Sequence, residues 1–200
     1  MAAIADYASL LIDASDYSGR QDIAHLMPRF LSLAELKLNR GLRVSDMETF
    51  AIVPVVDGIG TLPTDLLEVR QMLRADGVPI KAASMQGLTS LYFNRGGVPG
   101  GYAIVGNKIN VRPTATQDLA LSYYAKIPAL SPSNPTNWLL DRAADVYLYA
   151  LCTEIAIWEK DQAKAQAAMQ LMQLAISGLT IADERIRWGN GRVTIGGPTP

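Results

Sequence analysis

Apolar residues recur at helical spacing from Asn137 to Gly178, and this pattern predicts two helices folded back on each other. The stripe of the first helix is Leu140, Ala144, Tyr147, Leu151, Ile155 and Trp158. The stripe of the second is Ala165, Ala168, Met172, Ala175 and Leu179. Asn137 and Asp161 are the predicted N-caps, because a short side-chain oxygen can accept from a free N–H of the first turn. Gly178 is the predicted end of the second helix, since glycine adopts the left-handed conformation at little cost.

Two helical patterns also begin the chain. Ile4, Tyr7, Ala8 and Leu11 share one face of a predicted helix over residues 4–17. A second helix is predicted from a cap at Asp22 to about Arg43, and Pro28 should kink or divide it. Its predicted buried stripe is Phe30, Leu33, Ala34, Leu36 and Leu38. Glu35 is placed on the solvent side, near Lys37 and Arg40.

The pattern changes between residues 49 and 126, where short β-branched and apolar runs alternate with Gly-containing turns. Predicted strands are Thr49–Val56, Leu67–Leu73, Val78–Ala82, Tyr102–Val105, Lys108–Val111 and Leu119–Ala125. The predicted class is therefore α+β. A helical bundle formed by the terminal helices (4–43 and 137–182) carries an inserted antiparallel β region (49–126) and a C-terminal arm (183–200). The 200 residues suit a single domain over residues 1–200.

Composition excludes several classes of function. The net charge of −1 and the absence of a Lys/Arg block argue against binding duplex nucleic acid through a basic face. No apolar run approaches the roughly 18 residues of a membrane-spanning helix. Cys152 and His25 are the only cysteine and histidine, which rules out an intrachain disulfide and a Cys/His zinc site within one chain. Counting leaves an all-carboxylate metal site open.

Candidate chemistry is weak throughout the chain. His25 has Asp22 near it in sequence, but both lie at a predicted helix start, where aspartate caps. The glycine-rich run 96–101 lacks the Gly-Lys-Ser/Thr ending of a phosphate loop, and Pro99 removes one amide. Asp141, Asp145 and Glu154 are interpreted as a solvated helix face. We therefore predict no catalytic, cofactor-binding or metal-binding residue, and a protein that is not an enzyme.

The C-terminal arm combines arginines with large apolar side chains beyond the last predicted core element. These residues are Arg185, Ile186, Arg187, Trp188, Arg192, Val193 and Ile195, and we call them the docking set. One interpretation is a frayed terminus, because chain ends are usually loose. The other is a docking segment, because tryptophan and arginine are enriched among interface anchors. The residues alone leave both interpretations open.

Several segments together resemble one known family. They are Phe30–Glu35 with Leu42-Arg43, Leu62–Arg70, the hairpin positions Tyr102, Gly106 and Pro113, Asn137–Leu140, Tyr147–Ala150 and the arginines of the arm. In this order and spacing they resemble the phage head–tail adaptor (connector) family, whose distant relatives include the tail tubular protein A of short-tailed phages. The chain departs from that pattern at its polar, glycine-rich end, Thr194–Pro200.

The resemblance implies a structural virion protein in the phage neck, assembled in the host cytoplasm. It implies a ring, a dodecamer, that connects the portal protein to a tail or nozzle protein and lines the DNA exit channel. Genomic DNA would pass without sequence readout, and the docking set would contact the portal. The resemblance implies no cofactor and no membrane. Two alternatives stay open: another head–tail joining protein, either a stopper or a tail terminator, and a virion-associated enzyme.

Overall fold

The computed structural model describes residues 4–92 and 97–189. Arg192, Val193 and Ile195 of the docking set therefore lie outside the described residues. The chain divides into two compact units, a helical unit (Met1–Ser45 with Ile127–Pro200) and a sheet unit (Asp46–Lys126). Because one unit is mainly helical and the other is built on a sheet, the predicted α+β class is confirmed.

The described elements follow one another in a simple order. They are α1 (Tyr7–Ser18), a 3₁₀ segment (Gln21–Leu26), α2 (Met27–Gly41), a 3₁₀ turn (Ser45–Met47), β1 (Glu48–Val56), β2 (Ile59–Thr61), β3 (Leu66–Leu73), β4 (Lys81–Ala82), α3 (Met85–Tyr92), β5 (Gly101–Val105), β6 (Lys108–Arg112), β7 (Gln117–Ala125), α4 (Trp138–Arg142), α5 (Ala144–Glu159) and α6 (Gln162–Trp188).

Helix α5 lies at the centre of the helical unit, and α1, α2 and α6 each pack against it. Tyr147 and Leu151 are fully buried on α5, as the apolar stripe predicts. Both predicted caps are present: the Asn137 side chain accepts from the Leu140 amide, and Asp161 accepts from the Lys164 amide. The predicted hairpin of two long helices is therefore present, with the predicted buried stripe and both predicted caps.

The hairpin differs from the prediction in three details. Ala143 leaves the helical conformation (φ −149°, ψ 64°), so the first helix is divided into α4 and α5. Trp158 is 47% exposed, because the stripe runs off the packed face at the end of α5. Gly178 does not end α6, which continues to Trp188. A helical glycine costs about 1 kcal/mol relative to alanine, and the buried residues Leu179 and Asp183 keep the following turns packed.

The face of α2 that packs inward differs in part from the prediction. Phe30, Ala34 and Leu38 are buried as predicted. Leu31 and Glu35 are buried, whereas Leu33 and Leu36 are 40% and 52% exposed. Apolar residues occupy so many positions of α2 that their spacing fits two different faces, and packing on α5 selects one. Asp22 is not a helix cap; its carboxylate pairs with Arg20 at 2.7 Å instead.

Pro28 lies in the first turn of α2, where its missing N–H is not needed. It separates the 3₁₀ segment from the long helix, which is the predicted division.

The described residues of the sheet unit form a seven-stranded sheet in the order β3-β7-β1-β2-β6-β5-β4. The predicted antiparallel region is in fact mixed, because β4 pairs with β5 in parallel. The sheet curls around an apolar core of Val53, Val55, Leu62, Met72, Ile80, Tyr102, Ile109, Val111, Leu119, Leu121 and Tyr123. The Ile80 amide, just before β4, donates to the Met72 carbonyl of β3 at 2.9 Å. The two ends of the strand order therefore come close together.

Candidate docking surfaces

The last turns of α6 are held by a buried carboxylate. Asp183 is 4% exposed and accepts from the backbone amide of Ser45 at 3.0 Å. The Ser45 hydroxyl donates to the same oxygen. Arg187, one turn further on, places its Nε 2.8 Å from the other carboxylate oxygen. The C-terminal arm predicted from residue 183 thus begins as helix that is tied to the end of the N-terminal helical region.

These contacts are reflected in the ionisation of Asp183. Burial by itself raises the pKa of this carboxyl group, because it disfavours the charged form. The two hydrogen bonds from Ser45 and the charge of Arg187 outweigh that effect, so the pKa of Asp183 lies below its ordinary value. The ionised form of Asp183 is therefore the form that holds this end of α6.

Beyond this anchor, α6 presents large apolar side chains to solvent. Ile186 and Trp188 are each 70% exposed, and Arg185 is exposed beside them. Arg187 differs from these three residues, since it turns back to Asp183. Of the four docking-set residues within the described chain, Arg185, Ile186 and Trp188 are thus exposed around the end of an anchored helix.

A buried polar network holds the segment that leads into α4. Glu35 Oε1 accepts from the Leu130 amide at 2.7 Å and from the Tyr147 hydroxyl at 3.4 Å. Asn137 Nδ2 donates to the Tyr147 hydroxyl at 2.8 Å and to the Pro128 carbonyl at 2.6 Å. Because these groups come from α2, α5 and the segment between the strands and α4, the network joins three parts of the helical unit.

Burial sets the ionisation of this network. It raises the pKa of Glu35, and the hydrogen bonds from Leu130 and Tyr147 offset that rise only in part. Burial is also the main cause that raises the pKa of the Tyr147 hydroxyl, which keeps it protonated and able to donate. The sequence prediction placed Glu35 on the solvent side, and the structure shows that this was wrong. The Leu130 amide that satisfies Glu35 lies far away in sequence, so helical spacing carries no signal of it.

The predicted acidic face of the hairpin is only partly exposed. Asp141 and Asp145 are exposed as predicted. Glu154 is buried at 6% exposure and pairs with Lys37 Nζ at 2.5 Å. Because α2 covers this part of α5, Glu154 belongs to the packing between two helices and not to a solvated face.

The outer side of β1 is a second exposed apolar surface. Phe50, Ile52 and Val56 are 82%, 65% and 61% exposed, and they alternate with the buried residues Val53 and Val55. The sequence analysis identified this strand but did not anticipate the exposed face. A continuous apolar run is typical of a strand covered on both sides. Neighbouring apolar side chains that are exposed in this way commonly mark a contact with another molecule.

Comparison with family models decides what kind of protein these surfaces belong to. The model of the SU10 adaptor protein family matches residues 5–195. The chain belongs to the SU10 adaptor protein family. This family is one of phage head–tail adaptors, so the recognition made from sequence is confirmed. A comparison with curated proteins found no match.

Family membership gives the adaptor a structural role in the virion. An adaptor acts by contacting other head and tail proteins, so its functional sites are surfaces more than pockets. The exposed end of α6 and the outer side of β1 are the kind of surface that this role requires.

His25 and Cys152, the histidine and the cysteine of the chain, lie in different surroundings. His25 is exposed on the 3₁₀ segment. Cys152 is buried in α5, and burial raises the pKa of its thiol to about 12, which disfavours the reactive thiolate. Within residues 4–92 and 97–189, no group of three or more His, Cys, Asp or Glu side chains could hold a metal ion. None of the described helices is long and apolar enough to cross a membrane.

Proposed function

We propose that the adaptor forms a dodecameric ring that connects the portal protein to a tail or nozzle protein in the virion neck. The ring lines the DNA exit channel, and genomic DNA passes through it without sequence readout. The protein is assembled in the host cytoplasm. The observation that carries this proposal is the anchored end of α6, which presents Ile186 and Trp188 to solvent in a chain of the adaptor family.

The portal contact is assigned to the docking set. Arg185, Ile186 and Trp188 supply the described part of this contact, and Arg192, Val193 and Ile195 follow in the chain. The Asp183 contacts with Ser45 hold the turn that precedes these exposed residues. A pre-ordered helix end loses less conformational entropy on binding than a loose terminus, so more of the contact energy remains for affinity.

A second contact, toward the tail or nozzle protein, is assigned to the sheet unit. Phe50, Ile52 and Val56 provide an apolar outer face on β1. Burying such side chains stabilises a complex by about 25 cal/mol for each Å² of apolar surface removed from water. The adaptor would thus use a different surface for each partner.

The test is to mix the purified adaptor with its portal and image the complex by electron microscopy. The variant combines Ile186→Glu with Trp188→Ala, and we expect it to keep its fold but to lose portal binding by at least about tenfold. Leu91→Glu is the matched control, because Leu91 is similarly exposed at 65% but lies on α3.

If the double variant still binds portals as the wild type does, the assignment of the portal contact to the docking set is wrong. The position of the protein in a particle map tests the wider proposal. Contact with the portal supports the adaptor ring, and contact with the tail tube alone would identify a tail terminator instead.

A further inference from the structure

Strand β1 is paired along nearly its whole length on one side only. On that side, β7 pairs with every residue from Glu48 to Val55. On the other side, the short strand β2 pairs with Val55 and Val56. Among the described residues, no strand pairs with residues 48–53 on the β2 side. We call this stretch the open edge of β1.

The turn between β1 and β2 determines which backbone groups face the open edge. It is a two-residue turn with positive φ at both positions (49° and 77°), so the flanking residues Val56 and Ile59 are a hydrogen-bonded pair. Successive residues of a strand direct their amides and carbonyls to opposite sides. Phe50 and Ile52 are separated from Val56 by an even number of positions, so their backbone groups face the same side as those of Val56. That side is the open edge.

Two further observations agree with this direction. Asp57 differs from Val56 by one position, and its amide donates to Thr116 Oγ1, just before β7, at 3.1 Å. Pro54 has no amide hydrogen and occupies a position that faces away from β7. Proline is tolerated within a strand where no ladder hydrogen bond needs its amide. The ladder between β1 and β7 therefore does not use the amides of Phe50 and Ile52.

The same two residues carry the exposed apolar side chains of β1. Phe50 is 82% exposed and Ile52 is 65% exposed, so most of each side chain is in water. Neighbouring strands lie about 4.8 Å apart, and side chains on the same face of two paired strands touch each other. A strand beside Phe50 and Ile52 would therefore satisfy their backbone groups and cover their side chains at the same time.

The open edge of β1 lacks the features that protect β3, the strand on the other side of β7. β3 has two register shifts against β7 and carries the charged residues Glu68 and Arg70. Bulges and charged side chains prevent an edge strand from pairing with another chain. Residues 49–53 of β1 include no charged residue, glycine or proline, and they pair with β7 without a shift. The open edge is thus regular and unprotected.

An open strand edge specifies the chemistry of its occupant. Its amides and carbonyls recur at the two-residue period of a strand, so another extended backbone is the group that satisfies them together. At about 3.3 Å per residue, residues 48–53 extend about 20 Å, which is the length of a typical strand. The occupant is therefore an extended segment of five or six residues with apolar side chains at alternate positions.

We propose that a strand of the tail or nozzle protein adds to the open edge of β1. This inference rests on the proposed function, in which β1 contacts that partner, and it specifies how the two proteins meet. A second copy of the adaptor is a poorer source of the strand. Its β3 edge is protected, and pairing of β1 with β1 is two-fold, so it cannot repeat around a ring.

The test measures binding of the full-length adaptor to tails isolated from the same phage. Ile52→Pro removes the amide that faces the open edge and leaves the hydrogen bonds to β7 in place. Ile52→Ala is the matched control, because it shortens the side chain and keeps the amide. We expect Ile52→Ala to weaken binding by about threefold and Ile52→Pro to weaken it by at least about tenfold more.

Hydrogen exchange of the wild-type adaptor provides a test that needs no variant, so it also decides the case in which Ile52→Pro does not fold. Mass spectrometry with fragmentation resolves the exchange of single residues. The amides of Phe50 and Ile52 should exchange at least about tenfold more slowly when tails are bound, because the added strand accepts from them. The amides of Ala51 and Val53 already face β7 and should change less.

Three results would overturn the inference. The first is equal weakening of tail binding by Ile52→Pro and Ile52→Ala, since the amide would then contribute nothing. The second is unchanged exchange of the Phe50 and Ile52 amides in the complex. The third is slow exchange of both amides in the assembled adaptor before tails are added, which would identify a strand from a second copy.

A side-chain variant separates this inference from the proposed function. If the double variant Phe50→Ala with Ile52→Ala binds tails as the wild type does, β1 is not the tail contact and both proposals for it are wrong. If the double variant loses binding while Ile52→Pro and Ile52→Ala have equal effects, β1 contacts the tail through its side chains. The proposed function is then retained, and the added strand is rejected.

Discussion

Asp183 accepts a hydrogen bond from the backbone amide of Ser45 at 3.0 Å, although the two residues are 138 positions apart. This contact joins the end of the N-terminal helical region to the last turns of α6. It orders the start of a segment for which the sequence leaves two interpretations open, a frayed terminus and a docking segment. The helix end that presents Ile186 and Trp188 therefore depends on one carboxylate and its partners.

Removal of that carboxylate should loosen the helix end. Asp183→Ala leaves the amide and hydroxyl of Ser45 without their acceptor and removes the ion pair between Asp183 and Arg187. We expect the free energy of unfolding to fall by about 1–3 kcal/mol, measured by urea denaturation. Glu184→Ala, at the exposed neighbouring position, should change it by less than about 0.5 kcal/mol. Equal effects of the two substitutions would contradict the anchoring role.

The same carboxylate should make stability depend on pH at the acid end. The pKa of Asp183 is lower in the folded protein than in the unfolded chain. Its contribution is therefore present above the unfolded value of about 3.9 and is lost as pH falls through the folded pKa. In a pH series of denaturation curves, Asp183→Asn should reduce the loss of stability on acidification. If the stability of Asp183→Asn depends on pH in the same way as that of the wild type, the pKa of Asp183 does not change on folding.

Glu35 should act in the opposite direction. Its pKa is raised in the folded protein, chiefly by burial, so the folded state holds this proton more tightly than the unfolded chain. Its contribution is fully present below the unfolded pKa of about 4.3 and is lost as pH rises through the folded pKa. Glu35→Gln keeps an oxygen for the Leu130 amide but cannot ionise. We expect the free energy of unfolding of Glu35→Gln to vary less with pH in this window than that of the wild type. An unchanged slope would mean that the Glu35 carboxylate is in contact with water.

The Tyr147 hydroxyl should be needed for the network around Glu35. Tyr147→Phe removes the donor to Glu35 and the acceptor for Asn137 while it keeps the ring. We expect a loss of about 1–3 kcal/mol in unfolding free energy with the cooperative transition preserved. Tyr17→Phe, at a position 59% exposed, serves as the control and should be nearly neutral. A neutral Tyr147→Phe would mean that the hydroxyl contributes nothing to stability.

A buried charge at the centre of α5 should unfold the helical unit. Leu151 is fully buried, and Leu151→Asp would place an unpaired carboxylate among apolar side chains. The cost is several kcal/mol, comparable to the whole stability of many domains. Leu174→Asp makes the same chemical change at a site 69% exposed and should leave the melting transition in place. Circular dichroism melts of both variants decide this prediction, and a stable Leu151→Asp protein would contradict the packing of α5.

Several features of the helical unit were determined by the sequence alone because they depend on neighbours along the chain. Asn137 and Asp161 cap helices by accepting from amides three residues later, which is a local relationship. The buried stripe through Tyr147 and Leu151 follows from the period of the helix. The turn glycines of the strands, such as Gly58 and Gly106, are recognisable in the same way. The family also became recognisable through the order of such local segments.

Tertiary structure decided the features that depend on distant partners. Glu35 and Glu154 are acidic residues on helices, and spacing alone assigns such residues to solvent. The packing of α2 on α5 covers them, and the Leu130 amide and Lys37 compensate for the water that they lose.

Helix α6 continues beyond Gly178 because Leu179 and Asp183 are buried in the turns that follow, and Asp183 also forms hydrogen bonds there. The inward face of α2 was selected by the surface of α5. The helical period determines which side chains share a face of the helix. Only the element that packs against the helix determines which of these faces is buried.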